Sequence, residues 1–325
     1  MSDKDKIKNN YGAINWFDTT FQQSSLDDFK RFLKPYKEIK VSKWFILSDY
    51  CLKDSNKLYD SITFTIVPYI DDIKELMAVM GEIAPKDLKK TAEIDQRFCK
   101  FIKSGYCFNV TVVMEKNTKK FFPLTKENCM EQIDVLINQY KLWISNTPRN
   151  KDYYEKVIKK LKQLKQKAES KSFNLTLFRY IGFVQMIVAY LMTTITKECD
   201  YKIENICWFS DRDSIVEWID GIIYDLLQAN YHGMCSMEEV TQNEAPSISV
   251  GAYEEGTKQL WYDDLNRIPD YLTGAFAGRN YESVTKEKYD ILFEEGFCNN
   301  PYLSVVSYSE QGEAIQTNRL TFSLI

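Results

Sequence analysis

Two neighbouring runs of aromatic and β-branched residues constrain the fold of this chain more than any other feature. They cover residues 43–52 and 61–69, and the polar segment between them, residues 53–57, has the composition of a turn. This pattern is typical of a β-hairpin. A third run of the same kind, at residues 106–114, follows a helical stretch that begins at Asp71. The three runs predict strands that pair antiparallel through short connections.

Helices and strands alternate after the third strand. The patterns predict helices at 124–144, 152–170, 173–198, 214–231 and 260–278, and strands at 201–209 and 247–253. Because such alternation favours parallel pairing, we expect an α/β fold with a mixed five-stranded sheet and a large helical insertion at 124–198. In the last helix, Pro269 is expected to end one segment and start another, with Asp270 in its first turn.

Length and composition are those of an ordinary globular protein. The chain has 325 residues, of which 44% are hydrophobic and 27% charged, which suits one large domain or two of average size. The formal net charge of −4 neither supports nor excludes nucleic acid as a partner, because a local basic patch can attract a polyanion on its own. No two of the eight cysteines are closer than eight residues, so we expect buried, reduced thiols and no Cys-x-x-Cys zinc site.

Neither the N-terminal residues nor the longest uncharged segment indicates a membrane protein. Residues 1–10 are polar and mixed in charge, without the apolar core of a signal peptide. Residues 180–196 carry no charge over 17 positions, at the short limit for a spanning helix, but they include Gln185 and lack strong basic anchors. We expect a cytoplasmic protein in which this segment is a buried core helix.

Four aspartates occupy positions where a carboxylate needs an explanation. Asp211 and Asp213 directly follow the apolar run at 206–209, and the carboxyl end of such a strand is where α/β folds bind ligands and metals. Asp49 is the one acid inside the first strand, where a buried charge is costly unless it is paired or metal-bound. Asp270 would be the fourth.

Each of these acids also has a structural alternative. Asp211 or Asp213 could cap the helix predicted to begin at Ser214. Asp270 could be an ordinary first-turn acid favoured by the helix dipole. Asp49 could form an ion pair with an arginine, for which Arg212 and Arg267 are the candidates.

Three segments carry a resemblance to a known family. They are Ser48-Asp49-Tyr50-Cys51, Ser210-Asp211-Arg212-Asp213 and the stretch from Leu265 to Ala275. The chain resembles an uncharacterised, mainly bacterial ribonuclease-H-like family known as a domain of unknown function. Members begin with a strand carrying Asp-Glu-Ser-Gly, place an aspartate after a later strand and close with a helix Leu-Gln-x-Ala-Asp-Leu-x-Ala-Gly. The third segment is the most specific match, and the first lacks the glutamate and glycine.

The order of predicted elements also matches the ribonuclease-H-like fold, in which the first and fourth strands lie side by side. The resemblance implies a ribonuclease-H-like domain at 41–280, preceded by an adaptor segment at 1–40 and followed by a C-terminal extension at 281–325. It further implies a nuclease of DNA or RNA, in anti-phage defence or mobile-element biology.

Convergent carboxylates would give such a nuclease a metal site. Acids held together repel one another, and divalent cations offset that repulsion. Mg²⁺ or Mn²⁺ prefers oxygen ligands, and two such ions would activate water and stabilise the leaving oxygen during phosphodiester cleavage. We assign Asp49 as the bridging ligand and Asp211 and Asp270 as flanking ligands, with Asp213 as an alternative to Asp211. The competing hypothesis is a catalytically inactive scaffold or binding protein, because no second carboxylate near Asp49 has the family motif.

A lysine-rich helix is the candidate surface for nucleic acid. Between Arg149 and Lys171 the net charge is about +6, and most of it lies between Lys156 and Lys171. This face could bind the phosphate backbone without reading sequence. It could equally be the solvated side of a helical hairpin.

Overall fold

The computed structural model describes residues 12–70, 72–116, 118, 121–122, 124–241, 245–251, 260–278, 287–311 and 314–323. The chain divides into two compact units. The helical unit comprises Met1–Ile14, Phe122–Thr193 and Arg212–Glu239, and the sheet unit comprises Asn15–Phe121, Thr194–Asp211 and Val240–Ile325. The N-terminal segment and the predicted insertion are each divided between the two units, whereas the C-terminal extension belongs to the sheet unit alone.

One mixed sheet organises the sheet unit. Its strands are β1 (Lys43–Cys51), β2 (Tyr59–Pro68), β3 (Phe108–Glu115), β4 (Asn205–Ser210), β5 (Ser247–Val250), β6 (Leu303–Gln311) and β7 (Ala314–Leu320). The strand order is β5-β4-β1-β2-β3-β6-β7. The pairs β1–β4, β4–β5 and β3–β6 are parallel, whereas β1–β2, β2–β3 and β6–β7 are antiparallel.

The α/β class is confirmed, but the expectation of five strands is wrong. The described residues form a sheet of seven strands, because the chain beyond residue 281 adds β6 beside β3 and then turns back as β7. The pairing of β6 with β3 joins residues far apart in the chain and is therefore a property of the tertiary structure. Residues 312 and 313, between these two strands, lie outside the described residues.

The helices of the described residues follow in chain order. They are α1 (Gly12–Ser24), α2 (Leu26–Glu38), α3 (Ile73–Ile83), α4 (Gln96–Ile102), α5 (Lys126–Asn146), α6 (Lys151–Glu169), α7 (Leu175–Glu198), α8 (Ser214–Glu217), α9 (Ile222–Met237), α10 (Asp263–Gly278) and α11 (Glu287–Ile291). A short 3₁₀ helix, Leu88–Lys90, and a π-helix, Leu292–Phe297, complete the set.

Alternation along β1 separates the two faces of the sheet. On one face, Trp44 of β1 lies against Phe32 of α2, with ring centroids 6.1 Å apart. On the other face, Phe45 and Leu47 belong to a buried cluster that also contains residues of α10, such as Leu265. The next position on that second face of β1 is Asp49, so the strand period itself places this acid on the side covered by α10.

Two predicted helices differ from the observed ones. Pro269 lies inside α10, which continues unbroken from Asp263 to Gly278, so Asp270 is in mid-helix and its predicted first-turn position is wrong. An internal proline costs about 3 kcal/mol, and the burial of Ile268 and Leu272 beside it offsets that cost. The predicted helix at 214–231 is interrupted instead, because Ile219, Asp220 and Gly221 adopt positive φ angles and α9 starts only after them.

The apolar segment around residues 180–196 forms part of α7. By length and hydropathy this helix could cross a membrane, but 72% of its most apolar window is buried within the protein. That burial is typical of a core helix. The eight cysteines are all described and none forms a disulfide; seven are buried and Cys51 is partly exposed.

Candidate functional site

The ends of β1 and β4 place two carboxylates side by side. The strands are parallel, with Ser48 aligned to Ser210, and the Asp211 N–H continues the ladder by donating to the Ser48 carbonyl at 2.9 Å. Asp49 and Asp211 are the next residues along the two strands and therefore lie on the same face of the sheet. The two carboxyl groups are neighbours, and Asp211 is one of the acids that act on Asp49.

A buried hydroxyl network holds this register from the opposite face. Trp208 Nε1 donates to Ser48 Oγ at 2.8 Å. Tyr50 Oη lies 2.6 Å from Ser48 Oγ and 2.8 Å from Ser210 Oγ. Because these residues alternate with Asp49 and Asp211 along the strands, the network fixes the acids without occupying their side of the sheet.

Helix α10 brings the third acid to the same place. Thr273 Oγ1 donates to the backbone carbonyl of Asp49 at 3.3 Å. Asp270 precedes Thr273 by one turn on the same helix face, and its charge acts directly on Asp49. The structure therefore brings together Asp49, Asp211 and Asp270, from three elements that are far apart in the sequence.

Burial and like charge act in the same direction on Asp49. The residue is 7% exposed, and burial raises its pKa well above the usual range; the carboxylates of Asp270 and Asp211 raise this pKa further, and a backbone hydrogen bond at Tyr50 opposes the rise. Burial also raises the pKa of Asp270, against the opposing effects of the Leu88 N–H and of Arg267. Asp211 and Asp270 each keep part of their surface in solvent, so the cluster has a buried centre and an open side.

A loop between α3 and α4 adjoins the acids and carries the opposite charge. We call residues 86–91 the basic loop, because Lys86, Lys89 and Lys90 are exposed on it. Its Leu88 N–H donates to Asp270 Oδ2 at 2.7 Å. Lys89 lies close enough to lower the pKa of Asp270.

Two further contacts immobilise this loop on its own unit. Arg267 of α10 forms an ion pair and hydrogen bond with Asp87. The buried Lys288 Nζ donates to the carbonyls of Leu88 at 2.6 Å and Thr91 at 2.7 Å. The sequence interpretation missed the basic loop. Its only local signal is the cluster Pro85-Lys86-Asp87-Leu88-Lys89-Lys90, which has no feature that predicts contact with Asp270.

Asp213 has the capping role that was its structural alternative. Its Oδ1 accepts the Ile215 N–H at 2.9 Å and the Ser214 hydroxyl at 3.1 Å, at the start of α8. An aspartate in this position stabilises a helix N-terminus by satisfying a free amide. The two acids thus have different positions: Asp211 lies beside Asp49, whereas Asp213 caps the N-terminus of α8.

The donor set of the cluster suits Mg²⁺ or Mn²⁺, since three aspartates offer only oxygen ligands. Across the described ranges, no group of three or more His, Cys, Asp or Glu side chains has the spacing to hold an ion as it stands. No protein-family model, curated protein or solved structure matches this chain.

The lysines of α6 are divided between internal pairs and solvent. Lys160 Nζ lies 2.9 Å from Asp225 Oδ2, and Lys165 Nζ lies 2.6 Å from Asp134 Oδ2. Exposed positions remain at Lys156, Lys159, Lys162, Lys167 and, after the helix, Lys171. The predicted basic surface is therefore narrower than the charge count suggests, because two of its lysines are engaged within the helical unit.

Proposed function

We propose that this protein is a metal-dependent nuclease that hydrolyses phosphodiester bonds of DNA or RNA. The observation that carries the proposal is the convergence of Asp49, Asp211 and Asp270 on one face of the sheet. Acids that only stabilise a fold are normally found beside cations or capped amides. Here the buried centre, Asp49, has two carboxylates as its neighbours.

The strand order supports a ribonuclease-H-like fold and kinship with the family that the sequence resembles. Read from one side, β3-β2-β1-β4-β5 has three antiparallel strands followed by two that run parallel to β1. This is the arrangement expected for that fold, with acids on the first and fourth strands and on the last helix. The proposed place in anti-phage defence or mobile-element biology rests on the same resemblance, whereas the proposed cytoplasmic location rests on the eight scattered cysteines, none of which forms a disulfide.

The residues have distinct roles in the proposed site. Asp49 is the central ligand and Asp211 and Asp270 flank it, while the Leu88 N–H orients the Asp270 carboxylate. Bound Mg²⁺ or Mn²⁺ would supply a Lewis acid and an activated water at this point. The exposed lysines of the basic loop neutralise phosphates next to the carboxylates, and the lysines between Lys156 and Lys171 remain a second proposed contact with nucleic acid.

A second candidate is a binding or scaffold protein of the same fold that lacks catalysis. Two observations favour it: Tyr50 stands where the family has glutamate, and the three carboxylates are not spaced as a ready ligand set. In this case the acids would be a remnant, and their repulsion would have no function.

Cleavage by a matched pair of variants tests the proposal. Wild type, Asp211→Asn and Asp213→Asn are incubated with single- and double-stranded DNA and RNA in Mn²⁺, Mg²⁺ or EDTA. We expect cleavage that requires metal, is lost in Asp211→Asn and is kept in Asp213→Asn, because asparagine caps a helix as well as aspartate does.

Two results contradict the nuclease. One is the absence of cleavage by wild type in every metal and with every substrate. The other is cleavage by Asp211→Asn at the wild-type rate. The first of these results, with a stable fold, is what the scaffold hypothesis expects.

A further inference from the structure

One buried side-chain amide on α10, the helix that carries Asp270, has no hydrogen-bond partner in the part of the chain that the structure describes. The side chain of Asn266 is 4% exposed, and within the described residues neither its Oδ1 nor its Nδ2 makes a hydrogen bond. Buried amides are nearly always paired, because an unpaired polar group loses its water contacts without replacement. An unsatisfied asparagine in the first turn of a well-packed helix therefore requires a reason.

The helix face that carries Asn266 is the face of the acids. Asn266 lies one turn before Asp270 and one turn after Tyr262, whose carbonyl accepts the Asn266 N–H at 3.1 Å. Tyr262 Oη donates to the carbonyl of Ser210 at 3.1 Å, directly before Asp211. Asn266 thus lies between Tyr262, which directly precedes α10, and Asp270, and both of these residues lie near the carboxyl end of β4.

Other buried asparagines of this unit are fully engaged. Asn300 is 8% exposed, donates to the carbonyls of Ile102 at 3.1 Å and Gly296 at 2.9 Å, and accepts the Tyr302 N–H at 2.8 Å. The fold can therefore satisfy a buried amide where the amide is structural. Asn266 differs in that, within the described residues, both of its side-chain polar atoms lack a partner on the helix face that carries Asp270.

We propose that Asn266 is a fourth ligand-bearing residue of this site, with its amide oxygen as a neutral oxygen donor to a divalent cation. Amide oxygens are common ligands of hard cations. The Asn266 amide would give the site a fourth oxygen ligand, although the second acid that the family motif has near Asp49 is absent. The set becomes three carboxylates and one amide, which puts less negative charge into the empty site than four carboxylates would.

The inference rests on the proposed metal-dependent function, but its test does not rely on catalysis. Binding of Mn²⁺ alone is measured by isothermal titration calorimetry, and the melting temperature is measured in EDTA, for wild type, Asn266→Leu, Asn266→Asp and Asn300→Leu. Loss of a group that merely supports a ligand weakens metal binding about 10–100-fold. We therefore expect Asn266→Leu to bind Mn²⁺ at least about 10-fold more weakly, and Asn266→Asp to bind it more tightly than Asn266→Leu does.

Asn266→Leu should weaken metal binding without lowering the stability of the metal-free protein. Leucine has nearly the shape of asparagine and removes two unsatisfied polar atoms, so Asn266→Leu should melt at or above the wild-type temperature. Asn300→Leu removes three hydrogen bonds and should melt at a lower temperature, with Mn²⁺ affinity unchanged. A structural asparagine at 266 would instead behave as Asn300 does.

The outcomes separate the two proposals. Wild-type Mn²⁺ affinity in Asn266→Leu overturns the ligand role of Asn266 and leaves the nuclease proposal standing, provided that Asp49→Asn abolishes Mn²⁺ binding. A wild-type protein that binds no Mn²⁺ overturns both proposals together.

Discussion

Two buried aspartates of this protein have opposite surroundings. Asp225, in the helical unit, is 5% exposed, and Asp49, in the sheet unit, is 7% exposed. Asp225 receives Lys160 Nζ at 2.9 Å and the Tyr153 hydroxyl at 2.9 Å. Asp49 instead has two further acids, Asp270 and Asp211, as its charged neighbours.

The difference shows that burial alone does not mark a functional carboxylate. The charge of Asp225 is balanced by a lysine, so the pair joins α6 to α9 within its unit and is complete without a ligand. The closest charged neighbours of Asp49 are acids of the same sign and do not neutralise it. Such repulsion between carboxylates favours the binding of a cation. The sign of the nearest charge, more than depth in the core, separates the two.

The largest expected effect is on cleavage. Asp49→Asn removes the central ligand and should lower the metal-dependent cleavage rate at least about 100-fold, since even loss of a supporting group costs about 10–100-fold. Asp225→Asn keeps the shape of its side chain and should leave the rate per folded molecule within about 3-fold of wild type. Initial rates on a labelled oligonucleotide measure both. Equal losses in the two variants would mean that the comparison has no functional meaning.

The next largest effect is a loss of stability at Asp225. Asp225→Ala leaves the Tyr153 hydroxyl without its acceptor and Lys160 with the Asp220 carbonyl alone, and an unsatisfied, partly buried donor costs about 1–3 kcal/mol. Asp134→Ala is the control, because its pair with Lys165 lies in solvent and such pairs contribute about 0–1 kcal/mol. Urea unfolding measures both variants. A loss at Asp134 as large as that at Asp225 would show that the buried position of the pair is irrelevant.

Substitution of Asp49, unlike that of Asp225, should stabilise the metal-free protein at high pH. Because the pKa of Asp49 is raised in the folded state, its proton stabilises the fold fully below the unfolded pKa of about 4, and this contribution is lost as pH rises through the folded pKa. Asparagine mimics the protonated acid at every pH. In EDTA, Asp49→Asn should thus melt close to wild type near pH 4 and about 2 °C or more above it at pH 8.

Bound metal should reverse the order of the two melting temperatures at pH 8. In Mn²⁺ at pH 8 the wild type should gain stability in proportion to its occupancy, while Asp49→Asn should not respond. Thermal melts at pH 4, 6 and 8, with and without Mn²⁺, measure the whole set. An Asp49→Asn variant that melts below wild type in EDTA at pH 8 would show that the carboxylate stabilises the empty site.

The strands that carry the site were accessible from sequence, while its supporting contacts were not. Local alternation gave residues 43–52 for a strand that is Lys43–Cys51, and a charge inside that apolar run marked Asp49. Helix α10 continues through Pro269, where a proline was expected to end the helix, because core packing outweighs the cost of the proline. The basic loop and the unpaired side chain of Asn266 depend on which distant residues meet. No local pattern encodes the Leu88 contact with Asp270, or the lack of a partner for the Asn266 amide among the described residues.

The smallest expected effects concern the lysines of the two units. Each phosphate contact contributes about 0.9 to the slope of log affinity against log salt on duplex DNA. Lys86→Gln with Lys89→Gln, in the basic loop, should therefore reduce the slope by up to about 1.8 and also slow cleavage, because this loop adjoins the acids. Lys156→Gln with Lys159→Gln, on α6, should reduce the slope by up to a similar amount while cleavage at saturating substrate stays unchanged. Fluorescence anisotropy from 50 to 200 mM salt, in EDTA, measures the slopes. An unchanged slope for the α6 pair would reduce that helix to a solvated face, and an unchanged slope for the loop pair would remove the basic loop from the proposed phosphate contacts.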